Sequence, residues 1–293
     1  MHELYKTAAR EAIAAGDTLR VATANIWFDE RNWQSRYEDL STLFKELECD
    51  IVLIQEVPHG RSEEALAILT SNNEHRVGSI APASLSINAV LTKHQGEAEA
   101  AVEHHEKIDG KTFTTTSAVF VFERRGWRIR VGSVHQPWGG TRDIARLRSA
   151  ATIDRELSLR TECDATIIGG DFNAESTHDS IRYIIGMAAF EGGNVQWTDA
   201  WATAGEGDGT TSSPENLYAR MVGEGHGFLD PRMLPERRID YIFTKGYAYG
   251  SLGTPLRAFT RREGVEGRPY PSDHWMVVAD LYLPRKGSTQ ASG

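Results

Sequence analysis

The stretch ATIIGGDFNAES, residues 165–176, sets the terms on which the rest of the chain is read. It opens as a buried strand, Ala165–Ile168, passes through two glycines and ends on Asp171 and Asn173. Paired glycines let a backbone approach a ligand closely. Asp171 and Asn173 are two residues apart, so an extended segment shows both on one side. Gly, Asp and Asn are also turn residues, and taken alone the segment fits a turn as well as a site.

Working outward, the same form recurs. LRVATANIW (19–27) alternates and reaches Asn25, and DIVLIQEV (50–57) is an apolar run that reaches Glu56. FVFERRGWRIRVGSVH (120–135) reads as a hairpin turning at 124–126 and ending on His135. RIDYIFTKG (238–246) carries Asp240, and DHWMVVADLYL (273–283) starts on Asp273 and His274. SINAVLT (86–92) is a further strand. A carboxylate at the end of an apolar run is partly desolvated and needs compensation. One such residue reads as a cap or a strand-end hydrogen bond. Several strands tipped this way point to a shared cation.

The donors are hard oxygens, without paired His spacing or CxxC, which favours Mg²⁺ or Mn²⁺ over Zn²⁺. His104 and His105 lie in a polar stretch and read as solvated surface. Asp240, in an apolar strand, needs a partner. His274 is the natural one, and Arg238 competes for it.

Helices fit between the strands. YEDLSTLFKELE (37–48) and TRDIARLRSAATIDRELSLR (141–160) place apolar residues at helical spacing. The segment 94–112 reads as a polar surface excursion, and 205–237 as a long loop suited to substrate contacts. There is an internal echo: strand, polar tip, helix, Glu-Cys-Asp, strand, carboxylate occurs over 19–56 and again over 128–171. As a true repeat it implies two sheets packed as a sandwich, helices outside, with strand tips meeting at one end.

The bulk properties set limits. At 293 residues the chain can bury a large core unaided. Residues 1–18 read as an N-terminal helix or tail rather than a signal peptide, 19–284 as a single domain, and 285–293 as a loose tail. No apolar run approaches a membrane span. Cys49 and Cys163 do not make a disulfide framework and read as buried free thiols, which suits a cytoplasmic protein. Lys and Arg number 32 against 41 Asp and Glu, a formal net charge of −9. That field works against a long polyanion without excluding one. Nothing in the sequence points to a protein partner.

AxANIW, IVLIQEV, SVHQP, GGDFNAE, RRIDYIF and PSDHW, in that order, make the chain resemble the endonuclease/exonuclease/phosphatase superfamily from about Leu19 to Leu283. The expected fold is a four-layered α/β/β/α sandwich of two mixed β-sheets packed face to face with helices outside. The resemblance implies a divalent-metal-dependent phosphodiesterase or nuclease, acting on a phosphate ester in DNA or RNA or at a nucleic-acid end. Alternatives are a phosphatase or phosphodiesterase for a small-molecule or lipid phosphate, or an inactive binding module. It further implies Glu56 as the main metal ligand, Asp273 as a second and Asn25 beside them. Asp171 activates water, Asn173 holds it, and His274, oriented by Asp240, supports the phosphoryl oxygens. His135 contacts the phosphate or leaving group. The following Gln136–Pro137 departs from the family pattern, in which Leu often follows. Short matches, NIWFDE and VQWTDAW, look like the tyrosyl-DNA phosphodiesterase branch and related bacterial proteins.

Two more residues read as substrate-binding. Arg142 points at the phosphate or lies on the helix surface, while Arg146 reads as part of a solvated helix face. Trp138 is an exposed ring for stacking a base or a packing residue beneath its loop.

Overall fold

A computed structural model of the chain describes residues 3–108, 110–139, 141–160, 162–246 and 249–287. The end of the expected C-terminal tail, 288–293, lies outside the described residues.

In chain order the elements are α1 (Glu3–Ala14), β1 (Thr18–Asn25), α2 (Trp33–Glu46), β2 (Ile51–Val57), α3 (Ser62–Ser71), β3 (Arg76–Pro82) and β4 (Ile87–Thr92). Then come β5 (Gly96–Ile108), β6 (Lys111–Arg124), β7 (Trp127–His135), α4 (Asp143–Ser158), β8 (Ala165–Asp171), α5 (Asp179–Ile184) and β9 (Trp197–Asp199). The chain closes with α6 (Ala200–Ala204), α7 (Leu217–Gly225), β10 (Asp240–Lys245), β11 (Pro255–Arg261) and β12 (Met276–Tyr282).

The strands form two six-stranded sheets, ordered β11-β12-β1-β2-β4-β3 and β5-β6-β7-β8-β10-β9. Both are mixed. In the first, β1 and β2 pair in parallel, and in the second β7 and β8 do; every other pairing is antiparallel. Each parallel pair is joined by one helix, α2 or α4, as a parallel crossover requires. The two sheet orders correspond strand for strand, so the echo in the sequence is an echo in topology.

Alternation along the strands builds the layers. In β2, Ile51 and Leu53 enter the core between the sheets, while Val52 and Ile54 face the core under α2 and α3. In β8, Ile167 joins the central core and Ile168 the core under α4 and α5. Three apolar layers thus separate four layers of secondary structure.

Several boundaries differ from the sequence reading. Residues 94–112 are mostly β5, an edge strand, not a loop. Its Glu and His side chains follow an edge strand's polar pattern, while backbone pairing to β6 supplies the order. His105 is exposed as expected, but His104 is turned inward, with Nδ1 3.1 Å from Thr152 Oγ1. The 205–237 segment holds α7, capped by the Asn216 side chain, and a short 3-10 turn at Pro231–Met233. Cys49 is buried, whereas Cys163 is only partly covered. No helix among the described residues is long and apolar enough to cross a membrane.

Candidate active site

The C-terminal ends of β1, β2, β7 and β8 lie at one end of the sandwich, with the start of β10 and the turn before β12. In the first sheet, Asn25 ends β1 and Glu56 lies near the end of β2. In the second, His135 ends β7, Asp171 ends β8, and Asp240 begins β10 directly opposite Asp171 in the register. Asp273 and His274 sit in the turn before β12.

Local backbone geometry aims these groups. Glu56 adopts φ 65° at a register break between Ile54 and Val57. Strict alternation would send its carboxylate toward the helical layer; the bulge turns it to the strand tips. Asn25 and Asp171 each accept a backbone N–H two residues on, from Trp27 (3.0 Å) and Asn173 (2.8 Å). Both of those residues have positive φ, 55° and 49°. Left-handed non-glycine residues gathered at one place are a mark of functional strain.

The contacts close a ring. Asn25 Nδ2 donates to Glu56 Oε1 (3.0 Å) and to Asp171 Oδ2 (3.2 Å), linking the two sheets. His135 Nε2 lies 3.6 Å from Asp171 and 3.8 Å from Glu56. Asn173 Nδ2 is 3.4 Å from His135 Nε2 and donates to Gln136 O at 3.0 Å. His274 Nδ1 is 2.9 Å from Asp240 Oδ2, and its Nε2 is 4.0 Å from Asp273. Arg238 is not the partner of Asp240: it pairs with Asp199 at 2.8 Å and lies over the Tyr241 ring.

The electrostatics follow from burial. Glu56, Asp171 and Asp273 are all held above the usual carboxylate range, chiefly by desolvation. Neighbouring acids add to this, while the histidines oppose it. Burial alone would lower the pKa of His274, but Asp240, Asp171 and Asp273 carry it well above its ordinary value.

Such a set of buried and half-buried acids fits a divalent cation. Asp171, Asp240 and His274 present atoms within 4.8 Å of one another, close enough for three ligands. His274 Nδ1 is already engaged by Asp240 within that group. Glu56 and Asp273, with Asn25 beside Glu56, are further oxygen donors at the same end that could hold a divalent cation.

Around this core, Trp138 is 56% exposed, and its ring stacks on His226 from the end of α7 at 5.1 Å. Arg142 precedes α4, with its guanidinium over Phe113. Arg146 is not on a solvated face; it is buried beneath the His135 loop.

Sequence reasoning missed two supports. Thr211 Oγ1 accepts the N–H groups of Ile239 and Asp240 (3.2 and 3.3 Å), and its carbonyl accepts that of Trp275. Ser272 Oγ donates to Asn25 O at 2.6 Å. Thr211 lies in a polar segment with nothing to mark it, whereas Ser272 stood in the quoted PSDHW.

Comparison with known proteins agrees with the fold. The family model for the Endonuclease/Exonuclease/phosphatase family matches residues 22–274. No curated protein sequence matches. Among solved structures, an endonuclease/exonuclease/phosphatase from Bacteroides vulgatus is 21% identical with a TM-score of 0.68, over 91% of this chain and 99% of that one. Truncated Caenorhabditis elegans TDP2 is 18% identical with a TM-score of 0.65, over 91% and 98%. A functionally unknown conserved protein from Enterococcus faecalis is 19% identical with a TM-score of 0.64, over 89% and 98%. At these identities the likeness is one of fold.

Proposed function

The chain belongs to the endonuclease/exonuclease/phosphatase family, and on that premise we propose that it is a divalent-metal-dependent phosphodiesterase. The carrying observation is the meeting of buried Asp171 and Asp240 and half-buried Glu56 and Asp273 with His135 and His274, drawn from both sheets.

In this reading Glu56 and Asp273, with Asn25, would hold Mg²⁺ or Mn²⁺. Such an ion would supply Lewis-acid neutralisation of charge on the phosphoryl group. Asp171 takes the proton of the attacking water, in keeping with a carboxylate held above its usual range. Asn173 orients that water and the phosphate. With Asp240 accepting a hydrogen bond from Nδ1–H, a protonated His274 presents Nε2–H as a donor to a phosphoryl oxygen. His135, beside Asn173, serves the phosphate or the leaving group. Trp138 and Arg142 flank the substrate.

The substrate is a phosphodiester in nucleic acid or at a nucleic-acid end. One observation favours a second reading, a small phosphate ester. Arginines on the loops around the site are matched to acids: Arg31 to Asp29, Arg61 to Glu30, Arg232 to Asp230. Such a rim offers a long polyanion little counter-charge. The deciding experiment is cleavage of bis-p-nitrophenyl phosphate, single-stranded DNA, 5′-tyrosyl DNA, sphingomyelin and inositol phosphates with Mg²⁺ or Mn²⁺. Chelator-sensitive turnover, absent in Asp171→Ala, is expected. No turnover of any of them with either metal refutes the enzyme and leaves a binding module.

A further inference from the structure

Two buried arginines occupy matching places in the two halves of the fold. Arg36 lies eleven residues after Asn25, and Arg146 eleven residues after His135. Each is the fourth residue of the helix that crosses over between parallel strands, α2 or α4. Each is nearly sealed, with exposures of 2% and 1%.

Neither arginine is spent on a strong ion pair. Arg36 donates to the carbonyls of Ile26 (3.2 Å), Trp27 (3.1 Å), Asp29 (2.7 Å), Arg31 (3.0 Å) and, across the fold, Pro271 (3.1 Å). Its guanidinium also lies 4.6 Å from the Trp27 ring centroid. Arg146 Nη1 donates to the carbonyls of Pro137 (3.0 Å) and Gly139 (2.8 Å). Its Nε is 3.5 Å from Asp143, whose oxygens also accept from Ser180 Oγ and the Asp179 N–H. Arg146 Nε and Nη2 have no hydrogen-bond partner among the described residues.

Burying a guanidinium is costly, and packing alone does not explain two of them at matching places. Neighbouring buried positions on α4 include Ala145, Leu147, Ser149 and Ala150. What an apolar residue could not do is take loop carbonyls. A planar fork of five N–H donors can hold several at once.

We infer that Arg36 and Arg146 are paired positioning residues, each bracing one loop of the site from beneath. Arg36 fixes the turn after Asn25 and ties it to Pro271, two residues before Asp273, so it braces the cation side. Arg146 fixes the loop that carries His135 and Trp138, so it braces the substrate side. Around it, the Gln136 N–H donates to Asp171 O (2.9 Å) and the Arg142 N–H to Gly139 O (3.2 Å). Pro137 fixes its own φ and has no N–H to satisfy. The catalytic consequence rests on the phosphodiesterase reading, but the bracing does not.

The test compares the full-length wild type with Arg146→Met, Arg146→Lys and Arg36→Lys by three measurements. These are amide exchange, Mn²⁺ binding by calorimetry, and kcat and KM on bis-p-nitrophenyl phosphate. Arg146→Met should raise exchange at Gln136 and Arg142 about tenfold. It should lower kcat about tenfold or more, as a misplaced site group does, with Mn²⁺ affinity kept. Arg146→Lys should recover part of both effects. Arg36→Lys should loosen Ile26 and Trp27 and weaken Mn²⁺ binding. If Arg146→Met does not fold, the lysine variant decides. Local exchange with an unchanged melting midpoint supports bracing, while exchange raised throughout α4 with a lowered midpoint overturns it. Wild-type exchange, binding and kinetics in the variants also overturn it. A wild type that cleaves no diester sinks the functional reading, and exchange and Mn²⁺ binding still decide the bracing.

Discussion

Replacing Glu56 by Gln should make the metal-free protein more stable while abolishing its main response to metal. Glu56 Oε1 and Asp171 Oδ2 stand 3.0 and 3.2 Å from the same Asn25 Nδ2, so they are at most about 6.2 Å apart. At an effective dielectric of about 20, two unit charges at that distance repel by roughly 2.7 kcal/mol. Asp273 adds to the repulsion at Glu56, and the two histidines relieve part of it. The net gain from removing the charge is therefore about 1–3 kcal/mol. At about 2–4 °C per kcal/mol for a chain somewhat smaller than this one, the melting midpoint in chelator should rise by several degrees. Gln keeps an acceptor for Asn25, so the hydrogen bond need not be lost. Saturating Mg²⁺ should stabilise the wild type by about 2.7 kcal/mol at a hundredfold excess over Kd, and the variant far less. Calorimetric melts in chelator and in Mg²⁺ provide the comparison. A lowered midpoint in chelator, or a wild-type response to Mg²⁺, refutes the assignment of Glu56 as the cation's principal seat. The same reasoning carries a pH sign. Acids whose folded pKa is raised take up protons in the folded state first, so the metal-free wild type gains stability as pH falls from neutral into the carboxylate range. Glu56→Gln should flatten that rise.

Further outcomes follow from the same geometry. His274→Gln should lower kcat by about a hundredfold or more. Asp240→Asn should move the basic limb of the pH–rate profile to lower pH, since Asp240 heads the charges that hold His274 protonated; an unmoved limb counts against the pairing. The stability that His274 gains from its acids should be complete below about pH 6.5 and lost as pH rises through its folded value, visible in melts across that range. Asn173→Ala should lose about a hundredfold in kcat with calorimetric Mn²⁺ affinity retained, and weakened Mn²⁺ binding would place Asn173 with the cation instead. Thr211→Val should cost about 1–3 kcal/mol in chemical denaturation, because it strands the N–H groups of Ile239 and Asp240.

Strand cores, the order of the polar tips and the repeated strand–helix–strand unit were all legible in the amino-acid sequence. They are written in local pattern: IVLIQ and TIIGG are long apolar runs, and Glu56 and Asp171 stand out at their ends. That is why Asn25, Glu56, His135, Asp171, Asn173, Asp240, Asp273 and His274 could be named before any coordinates. Tertiary structure decided what depends on neighbours distant in sequence. It made 94–112 a strand, because β6 supplies hydrogen bonds that a polar edge does not advertise. It gave Asp240 to His274 rather than Arg238, which Asp199 had claimed. It buried Arg36 and Arg146 under the loops whose carbonyls they bind, although in sequence Arg146 reads as one more charge on a helix face and Arg36 stands just before the helix read over 37–48. Pattern records which residues avoid water. Which of them meet, and at what distance, is set only when the two sheets close on each other.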